Sequence, residues 1–473
     1  MKEPNQAVES ALSKCRAGFA RDPNPALATR KEHIRALADV TIRHRHQIRD
    51  ALRTDYRRHP DTLSDIVECS AVVARCEQAI ANLDAWAAPE PRELDAATFG
   101  EARAWMAWQP KGVVGNMVPW NFPFELGLSP VAEMLGAGNR VVIKPSEMAP
   151  ACADLLSEMI AATFDPDQVT TVLGGADVAE AFAAAPWDHL MYTGSTEVGR
   201  RVMALAAPNL TPLTLELGGK CPIVIGSNGL QPRTMQSIVG LKLAKSGQIC
   251  VTVDYLLVPR GEVARLKSML LEYCAQTLKG FSTGDSATGI ISERHFARLR
   301  AIVDDAAQRG AEVVMLEPGA QDDPESRVMP LRLLIDPPPG SRAREEEVFG
   351  PLLPVIPYDS FDEAIAHINA GGSPLGVNIF SDDQQEIDAL IARTRSGGVT
   401  VNGASLHSAS PNLGFGGIGE SGFGRHHGVE GFQEFSNCRA IFVRGPEDAT
   451  DIIFPPYGPD KAAIAQMAFE LPA

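Results

Sequence analysis

The sequence predicts an α/β protein with more than one sheet-based domain, and three observations carry that expectation. Its 473 residues exceed what one compact core ordinarily holds. From Val113 onward, short apolar runs alternate with stretches of helical periodicity. A second such series runs from about Pro222 to Val401. Strands separated by helices of about 10 to 15 residues make β-α-β units, and therefore parallel sheets covered on both faces. Such sheets bind ligands at the carboxyl ends of their strands.

The elements follow in order. Residues 1–88 hold helical patterns such as Ile34-Leu37-Ala38-Val40-Ile42 and few glycines before Pro89. Residues 97–111 change character, with Trp105 and Trp108 in a strand-like stretch. Val113 to Val118 reads as a buried strand, Leu126 to Leu135 as a helix stopped by Gly136 and Gly138, and Arg140 to Lys144 as the next strand. A helix through Leu155 to Ala162, a strand at Val169 to Leu173, a helix around Val178 to Ala184, a strand His189 to Tyr192 and a helix Val198 to Ala206 continue the series. In the second series, breaks fall at Asp336-Pro337-Pro338-Pro339-Gly340 and Gly371-Gly372-Ser373-Pro374. The glycine-rich run from Gly414 to Gly422 reads as a tight loop lining a site, and no repeat argues for a solenoid. After Pro455-Pro456-Tyr457 the tail is a short amphipathic stretch.

Composition narrows the function classes. With 45% apolar and 22% charged residues, the chain has the make-up of an ordinary soluble globular protein. A formal net charge of −16 gives no electrostatic case for nucleic acid or an anionic membrane as partner. The basic stretch Arg43 to Arg49 reads as a solvated helix face. The N-terminus lacks the apolar core of a secretory signal, and no run approaches the ~18 to 20 apolar residues that span a bilayer. Eight scattered cysteines without a Cys-x-x-Cys pair suit free thiols in a reducing compartment, with the cytoplasm as the expected location. No metal is expected: His44 and His46 diverge on a helix, and His426 and His427 are adjacent.

Several motifs carry chemistry. Gly247-Gln248-Ile249-Cys250 places a lone cysteine where the backbone can approach a substrate, and Glu216, before Gly218-Gly219, is a carboxylate that could activate water. In Pro119-Trp120-Asn121-Phe122-Pro123, two prolines stiffen a turn after a strand, so the Asn121 amide can donate to a developing oxyanion. Thr193-Gly194-Ser195-Thr196-Glu197-Val198-Gly199 follows a strand and opens a helix, where N–H groups can meet a pyrophosphate. Lys144-Pro145-Ser146-Glu147 ends another strand, and a lysine and a glutamate there can bind ribose hydroxyls. Each motif alone also fits a plain turn, a packed aromatic or a buried thiol. Cys221, beside Lys220, is the other cysteine with an expectation of reactivity.

Taken together in this order, the motifs resemble the aldehyde dehydrogenases from about Pro110 to Pro456. Tyr192-Thr193-Gly194-Ser195-Thr196, Glu216-Leu217-Gly218-Gly219-Lys220, Glu347-Val348-Phe349-Gly350-Pro351 and those quoted above are all motifs of that family. The Gly398-Val399-Thr400-Val401-Asn402 strand, Phe415 to Gly419, Arg425-His426-His427-Gly428 and Phe454-Pro455-Pro456-Tyr457 are similar to its class 3 branch, which includes coniferyl aldehyde dehydrogenases. The resemblance implies NAD(P)-dependent oxidation of an aldehyde, of the coniferyl/aromatic or medium-chain kind. Cys250 would attack the carbonyl, Asn121 and the Cys250 N–H would hold the oxyanion, and Glu216 would activate the hydrolytic water. It implies a cofactor site built from Trp120, Lys144, Ser146, Glu147, Gly194, Ser195, Thr196, Val198, Gly199, Glu347 and Phe349. Glu147 makes NAD the first expectation, with NADP also accepted.

The implied architecture is a Rossmann-like cofactor-binding domain (1–88 and 110–216), an α/β catalytic domain (217–405), a β bridging and oligomerisation segment (89–109 and 406–445) and a tail (446–473). A homodimer is the implied assembly. Three positions depart from the family pattern. Lys245 stands where asparagine is usual, and it is expected to point to solvent. Ile249 replaces a usual threonine, and Glu125 stands where the coniferyl enzymes carry an aromatic residue. A carboxylate facing the substrate there would disfavour plain aromatic aldehydes. A cysteine hydrolase would not need Lys144, Glu147, Glu347 and Phe349. A catalytically silent protein would be expected to have lost Cys250, Glu216 or Asn121, and retained Glu216 argues for water over coenzyme A or phosphate as second acceptor.

Overall fold

A computed structural model of the chain describes residues 2–467 and 469. The last residues of the expected amphipathic tail, 468 and 470–473, lie outside the described residues. The chain forms two parallel-based sheets and one small antiparallel sheet, as the alternation predicts.

In the first sheet the strand order across the fold is Gly422–Phe423, Leu213–Leu217, His189–Gly194, Val113–Met117, Arg140–Lys144 and Val169–Thr171. All neighbours are parallel except the antiparallel edge strand Gly422–Phe423. Val113–Met117 and Arg140–Lys144 are buried along their whole length, which explains why they read as continuous apolar runs. The chain leaves Val113–Met117 in one direction, then returns on its other side at His189–Gly194. That reversal is a topological switch point, and a crevice opens there beyond the strands' carboxyl ends. Gly115 permits the close approach of the covering helix: a Cβ there would lie 2.9 Å from Phe182 Cε1 and 3.1 Å from Trp187.

The N-terminal helices Leu27–Arg43 and Ala71–Trp86 pack with Glu125–Gly136 into one core with Leu37, Val72, Leu83, Val131 and Leu135. Ile42 of the predicted apolar stripe is the exception, exposed at 57%. Around the basic stretch, His44 ends one helix and Arg45 and Arg49 both pair with Asp65. The second sheet runs Glu312–Met315, Arg332–Ile335, Leu352–Tyr358, Tyr255–Pro259, Pro222–Ile225, Gly376–Phe380, Gly398–Val401, with one antiparallel edge, Glu312–Met315.

The small sheet joins Glu90–Arg92, Arg103–Pro110 and Ser436–Val443, antiparallel throughout. Of the 406–445 stretch, only Ser436–Val443 joins this sheet. Gly422–Phe423 instead pairs with Leu215 and Glu216, and Gly428–Glu434 packs against the helices of the first sheet. Chain from the far end of the sequence therefore closes over the switch-point crevice. No helix among the described residues is long and apolar enough to cross a membrane.

Candidate active site

The predicted nucleophile follows a distorted turn. Lys245, Ser246 and Gly247 all take left-handed backbone, with φ of 47°, 53° and 72°. For the two non-glycine residues that costs on the order of 1–3 kcal/mol each, so the surroundings must hold the turn. Gln248 does this. Its Nε2 donates to the carbonyls of Lys245 (2.9 Å) and Gly289 (3.1 Å), and its Oε1 accepts from Ile291 N (3.0 Å). Gly247 is required twice over, by its φ and because a Cβ would lie 2.5 Å from Gly350 O. Cys250 emerges half-buried into a cavity of ≈ 260 Å³. Burial pushes its thiol up from the ordinary range, and the neighbouring Glu216 adds to the shift. Ile249 packs with it against Cys221, Val251, Leu375 and Phe415, an apolar wall.

Asn121 lies beside this turn, with its Nδ2 donating to Gln248 O at 3.1 Å. The structure corrects the expectation for Lys245: it is fully buried, not solvated. Its ammonium pairs with Glu68 and donates to Asn121 O at 2.5 Å, over the Phe122 ring at 4.2 Å. Glu68, on a π-helical turn (Asp65–Ser70), also accepts N–H bonds from Phe124 (3.1 Å) and Glu125 (2.9 Å) through Oε2. Tyr56 adds its hydroxyl to Trp120 O at 2.9 Å. A buried ion pair thus ties the amide-bearing loop to the nucleophile turn. Lysines are mostly exposed, but this one finds its partner 177 residues away.

Glu216 faces the same cavity from the strand Leu213–Leu217. It is 3% exposed, and neither carboxylate oxygen has a hydrogen-bond partner. Burial raises its pKa well above the usual carboxylate range, against the opposing pull of the Arg425 guanidinium. The glycine-rich loop closes on it, since a Cβ at Gly416 would lie 2.9 Å from Glu216 Oε1. Arg425 staples that loop by donating to the carbonyls of Gly397, Gly414 and Gly416 at 3.2–3.3 Å.

The other predicted residues divide into two groups. Trp120, Gly194, Ser195, Glu347 and Phe349 line the cavity with Cys250. Glu347 Oε1 accepts from Gly219 N at 3.2 Å, and burial, with Asp254 nearby, pushes its carboxyl up to about 7. Arg298 fixes the Glu347–Phe349 segment by donating to Glu347 O (3.0 Å) and Val348 O (2.6 Å). Trp120 meets Phe349 and His295 edge-on at 5.5 and 5.3 Å.

Lys144, Ser146, Glu147, Thr196, Val198 and Gly199 do not line this cavity. They lie at and after the carboxyl ends of Arg140–Lys144 and His189–Gly194. Lys144 Nζ donates to Glu147 Oε2 at 3.0 Å, and the Glu147 side chain is half exposed. Ser146 Oγ accepts from Met148 N. Ser195 caps the helix Thr196–Ala206 through Val198 N, Thr196 bonds Glu420 O, and Gly199 lets that helix approach Leu217.

Cys221 is corrected too. It is fully buried, its Sγ donates to Cys250 O at 3.6 Å, and unlike Cys250 it does not line the cavity, so it is out of a substrate's reach. The sequence reading missed Glu68, Arg75, His295, Arg298 and a site role for His426. Glu68 and Arg75 did carry a signal, since they share the helix face of Val72, Cys76, Ala79 and Leu83, where a charge needs a partner. Among the described residues no group of three or more histidine, cysteine or acidic side chains could hold a metal ion.

Chemically, a thiol, a side-chain amide and a buried carboxylate share one cavity, set in the crevice of an α/β fold. Comparison with known proteins narrows that class. Residues 2–441 match the description "Aldehyde dehydrogenase family", and the chain belongs to that family. It is 36% identical over 460 residues to a "Probable coniferyl aldehyde dehydrogenase" of Caulobacter vibrioides, covering 95% of this chain and 94% of that one. It is 35% identical over 456 residues to a mouse (Mus musculus) "Aldehyde dehydrogenase, dimeric NADP-preferring", covering 95% and 98%. Among solved structures, "Substrate bound state of Staphylococcus Aureus AldH" superposes with a TM-score of 0.90 at 28% identity, covering 98% of this chain and 99% of that one.

Proposed function

We propose that this protein oxidises an aromatic or medium-chain aldehyde to its carboxylic acid with NAD, and also with NADP, through a thioester on Cys250. The observation that carries the reading is the convergence of Cys250, Asn121, Glu216, Glu347 and Phe349 on one cavity at a switch point. A nicotinamide dinucleotide fits the residues present. Ser195 caps an 11-residue helix whose N-terminus opens on the cavity, suited to a pyrophosphate. Lys144 and Glu147 would take the adenosine ribose, Thr196, Val198 and Gly199 the phosphate border, and Trp120, Glu347 and Phe349 the nicotinamide ribose and ring. When bound, the dinucleotide supplies the hydride acceptor.

The chain's own residues do the rest. The Cys250 thiol gives its proton to solvent water and its sulfur forms a bond to the aldehyde carbon. The carbonyl electron pair moves to oxygen, where Asn121 Nδ2 and the Cys250 N–H donate to it. Lys245, through Asn121 O, keeps the amide on station. When that oxygen re-forms its carbonyl, the carbon's hydrogen leaves as hydride and a thioester remains. Glu216, buried and without a partner, then takes a proton from water as the water attacks the thioester, returning the thiol and releasing the acid. Its raised pKa means this hydrolysis quickens as pH rises through that pKa, because the base form is the unprotonated one.

The test is absorbance of the reduced cofactor with an aldehyde panel under NAD and NADP. Wild type is expected to turn over, and Cys250→Ala to lose activity while still binding dinucleotide. No reduction with any aldehyde, despite bound cofactor, overturns the reading. The free edge of Ser436–Val443, with Phe442 and Val443 exposed beside it, suits a homodimer, which light scattering of the purified protein would read as twice the chain mass. Eight free cysteines suit work in the reducing cytoplasm.

A further inference from the structure

Beside Glu216 the fold is completed by chain from far along the sequence, and one side chain fixes how that chain lies. Gly422 and Phe423 add an antiparallel edge to the strand Leu213–Leu217, with Gly422 opposite Glu216 itself. Arg425 follows them and is half-buried. Its Nη1 donates to the carbonyls of Gly414 and Gly416, both at 3.2 Å, on its own loop. The same nitrogen donates at 3.3 Å to Gly397 O, just before the strand Gly398–Val401 of the second sheet. One guanidinium thus ties the returning loop to both sides of the crevice. Gly416 is where this bears on the carboxylate. A Cβ there would lie 2.9 Å from Glu216 Oε1 and 3.0 Å from Arg425 Cγ, so the two side chains flank a single glycine.

We propose that Arg425 is the positioning residue for Glu216: it holds the Gly414–Gly416 loop against the carboxylate and supplies the positive charge that lets the carboxylate act as a base. The inference rests on the dehydrogenase reading above and adds what makes its hydrolytic base competent. A buried carboxylate with no hydrogen bond at either oxygen ionises only where something nearby favours its charge. Burial holds the Glu216 carboxyl well above the usual range; Arg425 is the largest opposing influence, and the N–H of Gly417 is the next. Both belong to the segment that Arg425 fixes, so place and charge come from one residue. The hydrogen bonds of the guanidinium go to carbonyls, which leave its positive charge intact. Other groups around the carboxylate give no such help. Cys250 and Glu347 on the cavity wall, and Glu434 on the helix Gly428–Glu434, repel its charge when ionised. Burial keeps His295, His426 and, on the neighbouring strand, His189 neutral. Arg298 is bonded to the carbonyls of Glu347 and Val348.

The test uses p-nitrophenyl acetate, an ester that acylates a reactive thiol without any dinucleotide. Nitrophenolate is released in a burst as the thiol is acylated, and the slower phase that follows reads hydrolysis of the acyl-enzyme. In wild type the hydrolysis constant is expected to rise with pH to a plateau, as Glu216 loses its proton. In Arg425→Met the midpoint of that rise is expected to move up by about one pH unit or more, the low end of what a nearby opposite charge is worth to a carboxyl. Below the midpoint the constant should then fall about 10-fold or more, because the ionised fraction drops about tenfold per pH unit. Arg425→Lys keeps the charge and a donor, and is expected to bring the midpoint back towards wild type. The constant is first order in acylated chains, so loss of folded protein shrinks the burst and leaves the constant intact. A midpoint unmoved in Arg425→Met overturns the role of Arg425, and so does an equal displacement in Arg425→Lys, which would mark packing alone. No burst from wild type overturns the thioester chemistry of Cys250, and the dehydrogenase reading with it.

Discussion

Two buried carboxylates stand beside the cavity in opposite company. Glu68 is fully buried, and its oxygens take the Lys245 ammonium and the N–H groups of Phe124 and Glu125. Glu216 is almost as buried and takes no hydrogen bond at either oxygen. Folding alone explains the first, because a buried charge is tolerable when paired and hydrogen-bonded. The second has only the Arg425 guanidinium and the Gly417 N–H to favour its charge, and these do not offset its burial, so its oxygens carry a cost that packing leaves standing. The difference separates what the residue type cannot: one carboxylate holds the loop that carries Asn121, and the other has the environment expected of the proton acceptor proposed above.

The largest expected effect breaks that comparison at Glu216. Glu216→Gln removes the proton acceptor while keeping the shape, so steady-state turnover should fall by about 10²- to 10⁴-fold, the range of a positioned general base. Thermal stability should hold or rise, since a neutral amide is cheaper to bury than an unpartnered carboxyl. A pre-steady-state burst of reduced cofactor followed by stalled hydrolysis would place the loss at the second half-reaction. An unchanged turnover would make Glu216 a bystander.

At Glu68 the expectation reverses, with stability leading. Lys245→Met leaves Glu68 buried and uncompensated, and breaking such a pair by removing one partner costs about 3–5 kcal/mol. The double variant Lys245→Met with Glu68→Gln should recover part of that loss, because no unpaired charge remains. Denaturant unfolding monitored by tryptophan fluorescence reads both. If Lys245 also steadies the oxyanion amide, the folded double variant should show a lower kcat with a near-unchanged KM for dinucleotide, a split that stability alone would not produce.

Much of this was legible in the chain, and the part that was not has a physical cause. Strands such as Arg140–Lys144 were readable because both faces are buried, which leaves a local apolar signature. Cys250, Asn121 and Glu216 were readable because each sits in a motif of glycine and proline whose turn geometry is itself local. Lys245 was misread because its environment is set by Tyr56, Glu68 and Phe122, all far away in sequence. The 406–445 stretch was placed with the small sheet, but glycines at 414, 416 and 422 let it fold back over Glu216, a contact invisible to periodicity. The orphaned atoms of Glu216, Arg75 and His426 are properties of packing, with no sequence signature at all.

Glu125 sits between the two extremes, and it sharpens the comparison most gently. Its backbone N–H serves Glu68, while its side chain faces Arg75 at 3.9 Å without a hydrogen bond to it. Burial pushes this carboxyl up from 4.5 to about 7, with Arg75 pulling the other way and Glu68 and Glu133 adding to the rise. The folded protein therefore holds this proton more tightly than the unfolded chain does. The stability so contributed is complete below about pH 4.5 and is lost as pH rises through about 7. Glu125→Gln removes that dependence. The melting temperature of wild type relative to the variant should be constant below about pH 4.5, decline across the window to about 7, and level off above it. A difference flat across the whole range would mean that Glu125 is as well served as Glu68. A decline confined to that window would group it with Glu216, among carboxyls that the fold buries without settling.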